Sequence, residues 1–106
     1  MKLFTKAQIA KLHANSLQEG DHKPVVKLFN PVGAATWLLT ELDGDIAFGL
    51  CDLGMGSPEM GYVSISELTS VRLPFGLKIE RDLHFKATKT LSEYSRKARE
   101  AGRIAD

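Results

Sequence analysis

The sequence contains a single cysteine, Cys51, and no continuous apolar run long enough to cross a bilayer. One cysteine excludes an internal disulfide and a zinc site built from cysteines. A membrane-spanning helix needs about 20 apolar residues, and the lysines scattered through residues 1–13 do not fit a cleavable signal peptide. These absences predict a cytoplasmic protein that has no membrane contact.

Basic side chains are missing from residues 41–67, which carry six acidic residues and a net charge of −6. The flanking residues 1–40 and 68–106 carry net charges of +3 and +4, which leaves the chain at +1. This uneven distribution allows attraction between oppositely charged surfaces of one molecule, or two separate binding faces.

Nucleotide-binding motifs are missing as well. Gly54-Met55-Gly56, within residues 51–64 (CDLGMGSPEMGYVS), suggests a loop that cradles phosphate through its backbone N–H groups. A P-loop would continue with Gly-Lys-Ser/Thr, and a dinucleotide fingerprint would place a third glycine at a helix start. Neither is present, and the surrounding negative charge repels phosphate. The stretch is therefore predicted to be a connection whose glycines supply unusual backbone angles.

Other reactive side chains form no recognisable site. Asp43 and Asp52 are predicted at opposite ends of one hairpin, about 25 Å apart at ~3.3 Å per residue, so they cannot share a hard cation. The three histidines have neither HxH nor HExxH spacing: they are His13, His22 and His84. We predict no metal, no cofactor and no catalytic residue that the sequence alone identifies.

The 106 residues fit one domain over residues 1–106, and both ends of the chain predict a helix. Thr5 and Gln8 form a capping-box pattern before an apolar stripe of Ile9, Leu12, Ala14 and Leu17, which predicts a helix over residues 6–17. A second capping box, Thr90 to Glu93, and a C-terminal Gly102 predict a helix over residues 91–101.

Between the helices, short β-rich runs predict strands over residues 25–29, 35–42, 46–53, 61–65 and 77–80. Asp43-Gly44 predicts a two-residue hairpin turn, which pairs Leu39 with Phe48 and Trp37 with Leu50. The predicted core face of this hairpin carries Trp37, Leu39, Ile46, Phe48 and Leu50. The predicted fold is α+β: an antiparallel sheet of four or five strands with N-terminal and C-terminal helices packed on it.

Residues 80–85, ERDLHF, place four ionisable side chains between apolar anchors. Arg81 can grip an anion while Asp82 and His84 move protons. The favoured interpretation is a structural ion pair between Arg81 and the acidic middle of the chain, because arginine commonly pairs with carboxylates when it is buried.

The second predicted helix has a basic side formed by Arg96, Lys97, Arg99 and Arg103. Such a side can contact nucleic-acid phosphates. Glu93 and Glu100 dilute the charge, however, and no aromatic stacking platform interleaves with it. The favoured interpretation is the solvated face that any amphipathic helix needs.

A family resemblance follows from particular stretches. PEMGYVS (residues 58–64), PFGL (74–77) and IERDLHF (79–85) are similar to a bacterial domain-of-unknown-function family, number twenty-nine fifty-eight, as are LFT (3–5) and KLFNP (27–31). The resemblance covers nearly the whole chain. It implies an association with plasmids, phages and integrative elements, but no activity and no catalytic residue.

The resulting functional prediction is a small accessory or interaction protein of a mobile genetic element, which acts by binding a protein partner. The predicted surface joins the loop of residues 54–62 to residues 81–84. Its candidate binding residues are Glu59, Tyr62, Arg81, Asp82 and His84. One alternative is nucleic-acid binding through the basic helix, and the other is a small enzyme with Glu59, Asp82 and His84 in one cleft.

Overall fold

The computed structural model describes residues 3–105, which form a five-stranded antiparallel sheet with helices on both faces. The elements along the chain are α1 (Lys6–Ser16), β1 (Val26–Phe29), β2 (Thr36–Asp43), β3 (Ile46–Asp52), β4 (Glu59–Ser64), α2 (Ile65–Ser70), a 3₁₀ turn (Pro74–Gly76), β5 (Glu80–Arg81) and α3 (Leu91–Ala101). The strand order across the sheet is β4-β3-β2-β1-β5, so β4 and β5 are its two edges. This arrangement confirms the predicted α+β class.

Two apolar clusters lie on opposite faces of the sheet. The cluster on the α1 side contains Leu12 of α1 with Val26, Leu28, Trp37, Leu39, Ala47 and Ile79. The cluster on the α3 side contains Leu38 and Leu50 of the sheet with Leu91, Tyr94 and Ala98 of α3. Burial on both faces explains why β2 has a nearly continuous apolar run rather than an alternating one. Within residues 3–105, no helix has the length and apolar character needed to traverse a bilayer.

The turn of the β2–β3 hairpin differs from the prediction. Asp43 pairs with Ile46, so the two central residues are Gly44 and Asp45 rather than Asp43 and Gly44. Of these two only Gly44 has a positive φ, +60°, as the first central position of a type II′ turn requires. The predicted hairpin register is therefore wrong.

The predicted core face of the hairpin is also divided between the two faces of the sheet. Trp37 and Leu39 pack on the α1 side, whereas Phe48 and Leu50 pack on the α3 side and Ile46 is exposed. The cause is a β-bulge between Leu39 and the Glu41–Phe48 pair. One extra residue in β2 reverses the in–out alternation beyond that point.

The bulge explains why Gly49 and Asn15 occupy their positions, which the hydrophobic pattern alone does not indicate. Gly49 lies against it, where a Cβ would stand only 2.0 Å from the Leu38 carbonyl oxygen. Asn15 of α1 is buried, and its Nδ2 donates to the carbonyl oxygen of Thr40 at 3.0 Å. A polar residue is therefore required on the buried side of α1, since the bulged backbone otherwise leaves this acceptor without a partner.

Helix α1 begins as predicted. The Gln8 N–H donates to the Thr5 hydroxyl at 3.1 Å, and the Thr5 N–H donates to Gln8 Oε1 at 2.9 Å, which completes the capping box. The buried side of the helix is narrower than the predicted stripe and contains Leu12 and Asn15. Three members of the predicted stripe are exposed: Ile9, Ala14 and Leu17.

The second predicted capping box is not formed at the start of α3, because the Thr90 side chain makes no hydrogen bond to a backbone group there. Asp21, from the α1–β1 connection, accepts instead from the Ser92 N–H at 3.0 Å and from the Ser92 hydroxyl. These hydrogen bonds, the side-chain one first, lower the pKa of Asp21. The C-terminal end follows the prediction, with Gly102 at a φ of +75°.

Candidate protein-interaction site

The candidate binding residues lie at two opposite edges of the sheet. A single row of paired residues crosses the five strands: Glu59, Cys51, Trp37, Leu28 and Arg81. Four strand spacings of about 4.8 Å put Glu59 and Arg81 roughly 19 Å apart. The fold therefore does not bring the residue 54–62 loop and residues 81–84 into one surface. The catalytic cleft of Glu59, Asp82 and His84 is not formed either, since proton transfer needs hydrogen-bond reach.

At the β5 edge the Arg81 and Asp82 side chains are engaged in structural contacts, whereas the His84 side chain is exposed. Arg81 Nη1 donates to the Leu3 carbonyl oxygen at 2.8 Å, which fastens the chain before α1 to this edge. Asp82 accepts from the His84 N–H at 2.9 Å, and its other oxygen lies 3.8 Å from Lys27 Nζ. The Asp82 N–H also donates to the Lys27 carbonyl oxygen at 2.9 Å. These contacts continue the sheet and close the edge beside β1.

The β4 edge is open. The Ile65 N–H donates to the Asp45 carbonyl oxygen at 2.8 Å, beside the pair formed by Ser64 and Ile46. This bond fixes the phase of the antiparallel ladder, so that Ser64 and Ile46 form a non-hydrogen-bonded pair. Every second residue then turns its backbone N–H and C=O away from β3. These residues are Met60, Tyr62 and Ser64, and no strand among residues 3–105 lies on that side of β4 to receive their outward groups. The Ser64 carbonyl oxygen is the exception, because Ser64 is the N-cap of α2 and its carbonyl accepts the first bond of that helix.

The side chains at the open edge are apolar and accessible. Tyr62 is 75% exposed, and its ring rests against Phe48 with the centroids 5.0 Å apart. Met60 is exposed on the same face of β4, because alternate residues share a face. Leu53 and Met55, in the loop that leads into β4, are exposed as well. Met60, Tyr62, Ser64 and their outward backbone groups form the accessible surface of the β4 edge.

A groove of about 550 Å³ lies at the Glu59 end of β4. Its walls are residues 56–60 and Arg99 of α3. Arg103 lines an adjoining cavity of about 330 Å³ that shares Gly56 with the groove. The fold thus places Glu59 and Arg99 in one groove, although the sequence suggested Arg99 only for nucleic-acid contact. The other two basic candidates are exposed on α3, where Arg96 lies 3.7 Å from Glu100.

Asp52 holds this corner together. Its side chain is buried, and its two carboxylate oxygens accept from the N–H groups of Gly54 and Ile104, each at 2.9 Å. It therefore ties the loop before β4 to the segment after α3. Sequence reasoning considered Asp52 only as a metal ligand, since no local pattern reports a partner 52 residues away. Gly54 and Gly56 have φ of +81° and +79°, which confirms that the loop glycines supply unusual backbone angles.

The remaining reactive side chains do not form a catalytic arrangement. Burial raises the pKa of the Cys51 thiol to about 11, so the thiol stays protonated at neutral pH and is a poor nucleophile. Among residues 3–105, no group of three histidine, cysteine or carboxylate side chains is placed to hold a metal ion. His22 Nε2 lies 2.9 Å from the Gln18 carbonyl oxygen, a local contact near the end of α1.

The sequence matches the profile of a family described as protein of unknown function (DUF2958) over residues 3–105, so the chain belongs to this family. The match confirms the family predicted from the PEMGYVS and IERDLHF stretches. No curated protein and no solved structure matches the sequence. The function is therefore argued from the geometry of the two sheet edges.

Proposed function

We propose that this protein acts by binding a protein partner, and that β4 accepts an extended segment of that partner as a sixth strand. The observation that carries the proposal is the row of outward backbone groups at Met60, Tyr62 and Ser64. An added strand satisfies such groups with main-chain hydrogen bonds and gains specificity from alternate side chains. Tyr62 is the anchor of this surface, because exposed aromatic side chains often dominate binding energy.

The β4 strand also lacks the features that protect sheet edges from pairing. Natural edge strands are shortened, bulged, or carry lysine or proline. Glu59–Ser64 spans six residues, contains neither lysine nor proline, and pairs with β3 without a register shift. The opposite edge strand, β5, is only two residues long and so offers no comparable row of backbone groups. The contrast supports a role for the unprotected edge in binding.

The charge around β4 favours a basic partner segment. Exposed Glu59 stands at one end of the strand, and Asp43, Asp45 and Glu67 stand near the other end. Residues 41–67 contain no lysine or arginine. Opposite charge at both ends steers an incoming segment and fixes its register. A second copy of β4 would instead bring carboxylates together, which disfavours self-pairing at this edge.

The experiment that tests the proposal places a photo-crosslinking amino acid at Tyr62 in cells that express the protein. We expect a discrete protein adduct from position 62 and no such adduct from position 83, since Leu83 is also exposed but follows β5. Identical adducts from both positions, or none from position 62, would overturn the proposal.

A pair of variants separates strand addition from simple side-chain contact. Met60→Pro removes one outward N–H and leaves the hydrogen bonds to β3 intact, because proline is tolerated at such edge positions. Met60→Val keeps the N–H and an apolar side chain. We expect the adduct from position 62 to be lost with Met60→Pro and kept with Met60→Val. Equal adducts from the two variants would contradict strand addition.

Nucleic-acid binding is a second candidate, favoured by the exposure of all four basic side chains of the α3 region: Arg96, Lys97, Arg99 and Arg103. Gel-shift titration at low and moderate salt tests it, because phosphate contacts weaken steeply as salt rises. We expect any binding to fall with Arg99→Ala. Absence of a shift at low salt would eliminate this candidate.

The family resemblance implies a role beside a mobile genetic element, and the composition favours a cytoplasmic location. The gene neighbourhoods of family members test the first statement. Fractionation of cells that produce the protein tests the second.

A further inference from the structure

The turn that follows α2 has a backbone that its sequence does not favour. The Leu77 N–H donates to the Pro74 carbonyl oxygen at 3.3 Å, which makes Phe75 and Gly76 the central residues of a β-turn. Phe75 has φ of +63° and ψ of +22°, and Gly76 has φ of +72°. Positive φ at both central positions defines a type I′ turn, for which asparagine, aspartate and glycine are the favoured residues. Phe75 is the only non-glycine residue among residues 3–105 with a positive φ.

The strain at Phe75 is not offset by packing. The side chain is 93% exposed, the highest exposure among the large apolar residues of the described chain. A left-handed backbone and an exposed aromatic ring both cost stability, and asparagine would remove both costs. Strained backbone that persists without internal compensation points to a functional site. The fold thus presents Phe75 outward as an apolar knob.

A cavity lies directly beside this knob. It has a volume of about 350 Å³ and is lined by Leu3, Thr69, Leu77 and Ile79, together with Lys78 and Glu80. Gly76, the neighbour of Phe75 in the turn, also lines it. The knob and the apolar cavity therefore belong to one continuous surface.

We propose that two copies of this chain associate through this surface, with Phe75 of each copy in the cavity of the other. A two-fold axis requires a self-complementary patch, and a knob next to a matching cavity meets that requirement. The charges also suit a two-fold arrangement, because Lys78 and Glu80 line the same cavity with opposite signs. Residues 41–67, which include β4, have only acidic side chains among their charged residues and lack this pairing of signs within one segment. The surface is separate from the β4 edge, so a dimer leaves that edge free for its partner.

Sedimentation equilibrium over a concentration series tests the proposal, with the protein itself as the probe. We expect the wild-type chain to move from monomer to dimer, and Phe75→Asn to raise the dissociation constant at least tenfold. The same substitution should raise the unfolding midpoint of the dilute monomer, because asparagine suits the turn. A residue that only supports the fold would not combine a gain of monomer stability with a loss of association.

Two control variants keep the test selective. Phe75→Tyr retains an aromatic knob and should dimerise within about threefold of the wild-type dissociation constant. Met55→Asn removes another highly exposed apolar side chain, in the loop that leads into β4, and should leave dimerisation unchanged. A wild-type chain that stays monomeric up to about 1 mM, or a Phe75→Asn chain that dimerises like the wild type, would overturn the proposal.

Discussion

The two edges of the sheet use polar and aromatic residues in different ways. At β5, Arg81 and Asp82 bond to the backbone of Leu3 and His84, and Asp82 also lies near Lys27. At β4, the outward backbone groups of Met60 and Tyr62 face no further strand among residues 3–105, and the Tyr62 side chain is 75% exposed beside Phe48. Residue types alone suggested that the β5 edge had more functional side chains than the β4 edge. The contacts indicate instead that its charges stabilise the fold, whereas β4 is available to a partner.

This contrast can be measured as a difference between stability and binding. Substitutions at the β5 edge should lower the free energy of unfolding, since they remove contacts within the chain. Substitutions at the β4 edge should change that quantity little and should affect binding.

The largest change is expected for Arg81→Ala. This variant leaves the half-buried Leu3 carbonyl oxygen without its charged donor, a loss of about 2 kcal/mol in the free energy of unfolding. Chemical denaturation measures it. Arg99→Ala, which removes an exposed arginine at the β4 side, should cost no more than about 0.5 kcal/mol. Equal losses from the two variants would remove the distinction between the edges.

Asp82→Ala should cost about 1 kcal/mol, because it removes the acceptor for the His84 N–H and the partly buried pair with Lys27. Asp82→Asn keeps an oxygen for the His84 N–H and loses only the charge, so it should retain about half of that stability. Denaturation at low and high salt separates the two contributions, since only the ion pair is screened. A salt-independent loss in Asp82→Asn would contradict the assignment.

Tyr62→Ala should cost only about 0.5 kcal/mol, the contribution of its contact with Phe48 at an exposed position. Its effect on binding should be much larger: the photo-crosslinked adduct from a neighbouring β4 position should disappear. Tyr62→Phe keeps the ring contact and should preserve both properties to within about twofold in adduct yield. Loss of stability without loss of the adduct would indicate that Tyr62 is a structural residue.

The smallest change is a pH dependence at the end of β4. Hydrogen bonds from the Ser64 hydroxyl, then from the Ser66 hydroxyl and N–H, lower the pKa of Asp45. Because the folded-state pKa lies below the unfolded value, the stabilisation is present above the usual aspartate range. It is lost as pH falls through the folded-state pKa.

Unfolding measured from neutral pH down into the acid range tests this pH dependence. The stability of Asp45→Asn should fall less steeply with acid than that of the wild type, since asparagine does not titrate. Of the hydrogen bonds to Asp45, Ser66→Ala removes only that from the Ser66 hydroxyl, and it should give a slope between those of the wild type and Asp45→Asn. Identical acid slopes for wild type and Asp45→Asn would contradict the role given to these bonds.

Local signals predicted the elements of this fold. The capping box at Thr5 and the glycine at residue 102 placed the ends of helices to within about one residue. The hairpin was also predicted, but its turn and register were not. A β-bulge depends on how β2 meets β3 and α1, and the matching Asn15 side chain is recognisable only once Thr40 is known to lie opposite it.

The candidate site was predicted in part. Tyr62 and Glu59 lie at the open edge, and Arg99 lines the groove next to Glu59. Arg81, Asp82 and His84 were grouped with them because the stretches share a polar, irregular character. A shared residue character does not show that two stretches are close in the folded chain, and the strand order places the two groups at opposite edges.

Residue pattern and periodicity were enough to identify the α+β class, the family and the ends of α1 and α3, because these features depend on residues that are neighbours in the chain. The folded arrangement was needed to show which edge is open, which charges bond within the chain, and that Phe75 stands on a strained turn beside a cavity. Those outcomes depend on strand order and on contacts between residues far apart in the chain. Whether a side chain bonds within the chain or remains accessible to a partner depends on the residues that surround it in the folded structure.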